Sequence, residues 1–488
     1  MLIPLFACLL ALAPSAARAT DPGSEASKAA LERALDTVRV EGLSADVHFL
    51  ADDAMGGRDT PSEGLRLAAR FIRARLQRLD FRPGAEHGWF HTYPLELNQI
   101  DADGSGLAIE GRGALRALAF GSDYFPWARR IDNTTTSGAV TFVGQLEEFD
   151  GLDLTGRWAY VLEGKGSLRR RGRALQAAGA IGMLVEPGPD YDEEPYAQRF
   201  ERSMERMRTP SVAYPRGARS EEGGGEGTPF STVYLASAAA AGLVPEGAVP
   251  GADLGLTVTE TMRRAGSVDG RVEVENVAGF WPGDDPLLQR EVIIVSAHYD
   301  HVGQRPDGRI FNGADDNASG SCGLLAIAEA LRAYGPLKRS VLLLWVSGEE
   351  KGLWGSQAWT EAPWLPDGAV PFCNINIDMI GRNAPDHLLV TPTAEHEAFN
   401  GLSRVASALA PQEGFPSLGS ADEYWSRSDH RNFHVNLKIP VTFLFADVHE
   451  DYHKETDTPD KIDYDKVRRI VRLVVRMLDA LQSPDVVL

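Results

Sequence analysis

Five short stretches toward the C-terminus gather the residues that could do chemistry. They are Ala297-His298-Tyr299-Asp300-His301, Gly313-Ala314-Asp315-Asp316-Asn317-Ala318-Ser319-Gly320, Ser347-Gly348-Glu349-Glu350, Asn376-Ile377-Asp378-Met379 and Tyr452-His453. Histidine together with aspartate and glutamate makes a typical zinc-binding set. One carboxylate is left over to act as a base. Together they imply hydrolysis by a metal-activated water.

Each stretch has its own logic. His298 ends an apolar run and Asp300 stands two residues on. A zinc-bound histidine usually gives its other ring proton to a carboxylate, so the pair reads as a ligand and its partner. A His-Asp pair on a surface loop is the alternative. Asp315 and Asp316 are neighbours in a glycine-rich turn before a helix. Adjacent carboxylates repel unless a cation offsets them. They also suit a helix start, where Asn317 and Ser319 are good caps. Glu349 and Glu350 follow another apolar run, on a segment expected to be extended. One side chain can then bind metal while the other reaches the activated water; a solvated acidic turn is the alternative. Asp378 ends a further apolar run, and His453 lies in the polar turn Tyr452 to Pro459. Singly these two say little. The coincidence of all five stretches points to a metal site.

Such a set needs a scaffold that brings distant segments together. Apolar runs at Glu291 to Ala297, Val341 to Val346, Cys373 to Ile377 and Ile439 to Phe445 predict strands. Ser319 to Tyr334 predicts a helix through Leu324, Leu325, Ile327, Ala328 and Leu331. Tyr464 to Leu481 predicts another through Val467, Ile470, Val471, Val474 and Leu478. Near-continuous apolar strands between helices imply a parallel sheet covered on both faces, with sites beyond the carboxyl ends of its strands. Residues 25 to 80 read as helical, with Leu31, Leu35 and Val38, then Leu65, Ala68, Ala69, Ile72, Leu76 and Leu79, at helical spacing. From 131 to 265, strands at Gly138 to Val143, Trp158 to Leu162 and Ala180 to Val185 predict a β-rich unit with a helix. Within it Ser220 to Gly227 reads as a surface loop, and Arg169 to Arg173 as a solvated helix face. The expected class is α/β: a mostly parallel, doubly wound sheet flanked by helices, with an inserted β-rich domain. The expected boundaries are 1–19 for an export signal, 20–130 for the N-terminal part of the main domain, 131–265 for the insertion and 266–488 for the catalytic part.

The chain has 488 residues, enough for two or three domains. Its 43% hydrophobic and 24% charged residues are those of a folded globular protein. A formal charge of −20 argues against nucleic-acid or anionic-membrane partners. Met1 to Thr20 resembles an export signal, with an apolar run from Leu5 to Ala13 and Ala17-Arg18-Ala19 as a cleavage site. It departs from the pattern in having no Lys or Arg ahead of that run. The protein is expected to be periplasmic or secreted, with no integral membrane segment after signal removal. Beyond the signal only Cys322 and Cys373 remain, as two buried thiols or one bridge, and neither has zinc-thiolate spacing.

These motifs resemble the M28 family of zinc aminopeptidases and carboxypeptidases. Ala-His-Tyr-Asp-His at 297, Gly-Ala-Asp-Asp-Asn-Ala-Ser-Gly at 313, Ser-Gly-Glu-Glu at 347, Asp378-Met-Ile-Gly, and Tyr452-His453 ahead of Asp457-Thr458 carry the likeness. Ala54-Met55-Gly56-Gly57-Arg58 resembles the helical N-terminal part of such enzymes. Residues 131–265 resemble an inserted protease-associated domain, through Leu154-Thr155-Gly156-Arg157 and Ala177-Ala178-Gly179-Ala180. The resemblance implies a zinc exopeptidase fold, peptide substrates cut at the amino end and two Zn2+ per chain. Asp316 would bridge the metals. His298 and Asp378 would complete one site, Glu350 and His453 the other. Glu349 would be the general base, Tyr452 would steady the oxyanion, and Asp300 would partner His298. Ser428-Asp429-His430 resembles a motif near the pocket and receives no catalytic role. A carboxypeptidase or dipeptidase of the same chemistry is the alternative, with Arg382, Arg427 and Arg431 as candidates for holding a substrate carboxylate. A glutaminyl cyclase typically uses a single zinc. A receptor on a dead peptidase fold usually loses ligands, and here none is missing. No motif bears on oligomeric state.

Overall fold

Alternate residues of the strand Glu291–His298 enter two different cores. Ile293, Val295 and Ala297 pack with one hydrophobic cluster, Val292 and Ile294 with another. The neighbouring strand Ser340–Val346 divides in the same way, Val341, Leu343 and Trp345 against Leu342, Leu344 and Val346. Successive side chains of a strand point to opposite faces, so an unbroken apolar run means that both faces are covered. One face carries the helices Gly320–Tyr334 and Tyr464–Ala480 and the N-terminal helices, through Leu324, Leu325, Val471, Leu35 and Ile72. The other is covered by Trp359, Phe433 and Ile439.

The computed structural model describes residues 19, 23–128, 131–146, 152–164, 167–187, 196–215, 230–265 and 271–488. Apart from Ala19, the export-signal expectation lies outside these residues, and so does the loop expected at Ser220 to Gly227. Among the described residues no helix is long and apolar enough to cross a membrane. Cys322 and Cys373 are both buried and free.

The described chain forms two units, one of residues 1–93 and 273–488, the other of residues 94–272. In the first, four strands run parallel in the order Val441–Phe445, Val370–Asp378, Glu291–His298, Ser340–Val346. Antiparallel strands flank them, Leu389–Thr391 on one side and Arg271–Trp281 on the other. The fold is the expected mixed α/β arrangement, with its parallel pairing concentrated at the centre.

The second unit holds its own sheet, ordered Ala114–Leu118, Gly106–Gly111, Asp253–Met262, Thr134–Gly144, Trp158–Leu162, Gly182–Glu186, Ser231–Leu235, Tyr124–Pro126. It therefore begins at Pro94 and ends at Val272, where the sequence suggests 131 and 265. The hairpin at 106–118 belongs here because Gly106–Gly111 pairs antiparallel with Asp253–Met262, and Tyr124–Pro126 pairs with Ser231–Leu235. Ala114–Leu118 is almost wholly exposed, so it carries no buried alternation to announce it. In the basic cluster Arg169, Arg170 and Arg173 are exposed as expected, but Arg171 is buried and donates to the Leu162 carbonyl at 3.1 Å.

Candidate metal centre

The parallel register places the chemistry. Ser296 lies opposite Asn376 on the neighbouring strand, so two residues on His298 and Asp378 leave the sheet side by side. His298 also pairs with Val346, whose strand leads into Glu349 and Glu350, and Asp378 pairs with Phe445, whose strand leads toward Tyr452 and His453. A continuous parallel sheet thus collects residues from four strand ends at one edge.

Asp316 stands at the centre of the collected groups. Its Oδ1 is 3.4 Å from His298 Nε2, which also lies 3.1 Å from Asp378 Oδ1. Its Oδ2 is 3.1 Å from His453 Nε2, itself 3.0 Å from Glu350 Oε2. All five residues that the sequence offers as ligands therefore converge, in two groups that share one carboxylate. Glu349 reaches the first group: its carboxylate and ligand atoms of His298 and Asp378 lie within 4.8 Å of one another. Asp300 lies on the far side of His298, with Oδ1 3.7 Å from Nδ1 and its backbone oxygen nearer, at 3.2 Å. Tyr452 stacks on His453 with ring centroids 3.9 Å apart.

Glu349 and Glu350 differ from expectation in their backbone. They lie in a turn, with Gly348 at φ +71° and the Glu349 carbonyl accepting from Gly352 and Leu353. Only a residue that tolerates the left-handed region turns the chain so sharply here. The two side chains still diverge, Glu350 to Asp316 and His453, Glu349 toward His298 and Asp378.

A surrounding layer of hydrogen bonds fixes these groups. Asp300 Oδ1 accepts the Glu349 N–H at 3.2 Å, and its Oδ2 accepts from the Thr60 hydroxyl at 3.2 Å. Ser428 donates to Asp378 Oδ2 at 2.8 Å and accepts from Asn376 Nδ2 at 2.9 Å. Asp457 accepts the backbone N–H groups of Asp315 and Asp316 at 3.0 to 3.1 Å. Asp315 turns away from the centre, accepting from Gly381 N–H at 2.6 Å and facing His449 Nε2 at 3.3 Å. Asn317 accepts from Gly320 N–H at 2.9 Å, so the capping role and the metal role coexist in one turn. Arg58 is fully buried and donates to the carbonyls of Leu50, Tyr299, Asn312 and Gly313. It ties the turn Asp53–Arg58 to both ligand-bearing loops. His301, in the first of the five stretches but without an assigned role, sits inside the site with Nδ1 2.8 Å from Glu350 Oε1.

The electrostatics call for a cation. Asp300, Asp315, Asp316, Asp378, Asp429 and Asp457 are all less than a tenth exposed, while the nearby Arg58 guanidinium is committed to carbonyl oxygens. So many carboxylates in one dry region are costly unless positive charge joins them. Burial opposes ionisation of Asp316, yet His298, His301 and His453 pull its carboxyl well below the usual range. His453 responds in turn: against burial, Asp316 and Glu350 push it up to about 10. Burial lifts Glu349 well above the ordinary carboxylate range; His298 opposes this, and Asp429, Glu350 and Asp378 add to it. Glu350 Oε1, His453 Nε2 and both ring nitrogens of His301 are buried without a hydrogen-bond partner. Nitrogen and carboxylate donors that crowd together yet do not satisfy one another suit divalent metal ions. His453 holds φ at +54° and Met379, next to Asp378, at +48°. Such backbone is uncommon for residues with side chains and clusters at functional sites.

A cleft of about 280 Å³ opens over this centre. Leu353, Met379, Phe443, Phe445 and Val448 give it apolar walls, and Tyr424, Ser426, Arg427 and Tyr452 line it with polar groups. Of the three arginines suggested for a substrate carboxylate, Arg427 lines the cleft. Arg382 pairs with Asp451 at 2.8 Å, and Arg431 is exposed and is not among the lining residues.

Residues 276–478, which carry the whole constellation, match the family model of peptidase family M28. Over that segment the chain resembles peptidase family M28. Leucine aminopeptidase 1 of Trichophyton equinum is 41% identical over 222 residues, which take in 41% of this chain and 56% of that protein. A probable glutamate carboxypeptidase of Arthroderma benhamiae is 32% identical over 165 residues, 33% of this chain and 20% of that one. In neither case does the match reach two thirds of the relative's length. Among solved structures, an aminopeptidase from Aneurinibacillus sp. strain AM-1 superposes with a TM-score of 0.53 at 18% identity, over 92% of this chain and 95% of its own. That likeness is one of fold. The segment that matches the peptidase family holds every ligand candidate, and these lie at one edge of one sheet.

Proposed function

We propose that this chain is an exported aminopeptidase of the M28 type that holds two Zn2+ and removes N-terminal residues from peptides. The observation that carries the reading is Asp316, whose two oxygens face separate groups, His298 with Asp378 and Glu350 with His453. When bound, the zinc pair supplies Lewis acidity and a water acidic enough to attack at neutral pH. The chain's own residues do the rest. Glu349 accepts the proton of the attacking water and delivers it to the leaving amine. Burial and nearby Asp316 raise the Tyr452 pKa, so its hydroxyl stays protonated and can donate to the oxygen on which negative charge grows. Asp300 and Thr60 hold the Glu349 backbone, and Ser428 holds Asp378.

The amino-end reading is supported by the relative named leucine aminopeptidase 1. The apolar cleft walls suit an uncharged side chain. Arg427 on the cleft supports a second reading, in which the site grips a substrate carboxylate and acts as a carboxypeptidase or dipeptidase. Met1 to Thr20 supports export, and we read the unit of residues 94–272 as the protease-associated insertion.

One experiment tests both site and direction. Zinc-loaded protein is offered aminoacyl-p-nitroanilides beside N-blocked dipeptides. The nitroanilides should be cleaved, and cleavage confined to the blocked dipeptides would sink the aminopeptidase reading. On the better substrate, Glu349→Gln should lower kcat by about 10²- to 10⁴-fold with zinc content unchanged. Loss of zinc in that variant would make Glu349 a ligand instead.

A further inference from the structure

Five ligands and a base leave one donor of the centre without work. The His301 ring is wholly buried, and neither of its nitrogens has a hydrogen-bond partner. Its Nδ1 lies 2.8 Å from Glu350 Oε1 and 3.7 Å from Asp316 Oδ2. At 2.8 Å a hydrogen bond would be expected, yet neither Nδ1 nor Oε1 has a hydrogen-bond partner. His453 Nε2 shows the same relation to Glu350 Oε2 and Asp316 Oδ2, at 3.0 and 3.1 Å. The two imidazoles stand edge to face, 5.7 Å apart, against one shared pair of carboxylates.

Burial without a partner does not by itself make a ligand. His430 is just as buried and its nitrogens are as lonely, but it stacks on Phe443 at 4.7 Å and meets Trp425 at 5.2 Å. An aromatic cage suits a neutral ring, and burial holds His430 at a pKa of about 3. His301 has no such cage. Carboxylate oxygens of Glu350 and Asp316 face its Nδ1. The chain also makes room for it: Gly313 sits at φ +57°, and a Cβ there would collide with the His301 ring. The backbone N–H of His301 donates to the Arg58 carbonyl at 3.2 Å, which fixes the ring's origin.

We propose that His301 is a further ligand, binding through Nδ1 the same ion as Asp316, Glu350 and His453. The inference rests on the two-metal reading above. It gives that ion two imidazoles where His298 alone serves the other, and it makes the centre a three-histidine one. A second neutral nitrogen donor biases this site toward zinc, cobalt and nickel over magnesium or manganese.

X-ray absorption at the zinc edge of the full, zinc-loaded chain decides the matter, because it counts imidazoles independently of activity. Three per zinc pair are expected in the wild type and two in His301→Ala, whose second zinc should bind at least about tenfold more weakly. Weaker binding alone would also follow from a hydrogen bond between His301 and Glu350, so the imidazole count is the deciding number. Two zincs with only two imidazoles in the wild type overturn the role of His301 and leave the two-metal reading intact. Fewer than two zincs in the wild type overturn the two-metal reading, and this inference with it. Should His301→Ala fail to fold, the wild-type count still decides.

Discussion

His298 and Asp378 leave the ends of adjacent parallel strands, and their side chains are 1% and 10% exposed. His453, across Asp316, leaves a loop at positive φ and its side chain is 37% exposed. The first pair is backed by hydrogen bonds on its outer side, Ser428 on Asp378 and the Asp300 backbone on His298. On the other side Glu350 Oε1 and His453 Nε2 have no hydrogen-bond partner. Sheet register thus pre-positions one half of the centre, whereas loop backbone and the charge of the carboxylates position the other. A rigid, dry half suits a metal that stays. A half open to the cleft suits the ion that meets substrate, with Tyr452 stacked beside it.

Three experiments test this contrast. The largest effect should come from Asp316→Asn, since both halves share that carboxylate. Both metals should be lost on dialysis and activity should fall by roughly a thousandfold or more. Retention of one tightly held ion, measured by elemental analysis, would show that the halves are independent. A smaller but more pointed effect is expected from graded chelation. The ion held by Glu350, His453 and His301 should leave first, because the half-exposed His453 opens it to chelator from the cleft, so that His453→Ala abolishes the fast phase of metal release and Asp378→Ala abolishes the slow one. The reverse assignment would break the comparison. The smallest effect belongs to Ser428→Ala, which removes one hydrogen bond from Asp378 and one from Asn376. It should weaken the slow-phase ion by about tenfold and leave the fast phase unchanged. An equal loss in both phases would mean that Ser428 supports the whole edge of the sheet.

The five ligand candidates are legible in the sequence because each is a metal-binding residue type placed at the end of an apolar run or in a turn. The four parallel strands and the helices Gly320–Tyr334 and Tyr464–Ala480 are legible too, since a sheet buried on both faces writes itself as continuous apolar segments, whereas Trp354–Glu361, Leu389–Thr391 and Gly401–Leu409 are not. The start of the second unit is not legible. Its first hairpin contains Ala114–Leu118, which buries almost nothing, so periodicity falls silent there. His301 also escapes, because its value comes from a Gly313 that makes room and a Glu350 that arrives from another strand.

The sequence by itself determined the chemistry on offer: histidine and carboxylate at intervals that suit metal-assisted hydrolysis, on a chain patterned to form an α/β sheet. Only the tertiary structure decided which atoms meet. Parallel register set His298 beside Asp378, and the buried Arg58 tied the ligand loops to the N-terminal turn. Asp457 held the backbone of the turn that aims Asp316 at both groups. Distances between residues a hundred and more apart in the chain depend on packing and on long-range hydrogen bonds, and local spacing carries no record of either.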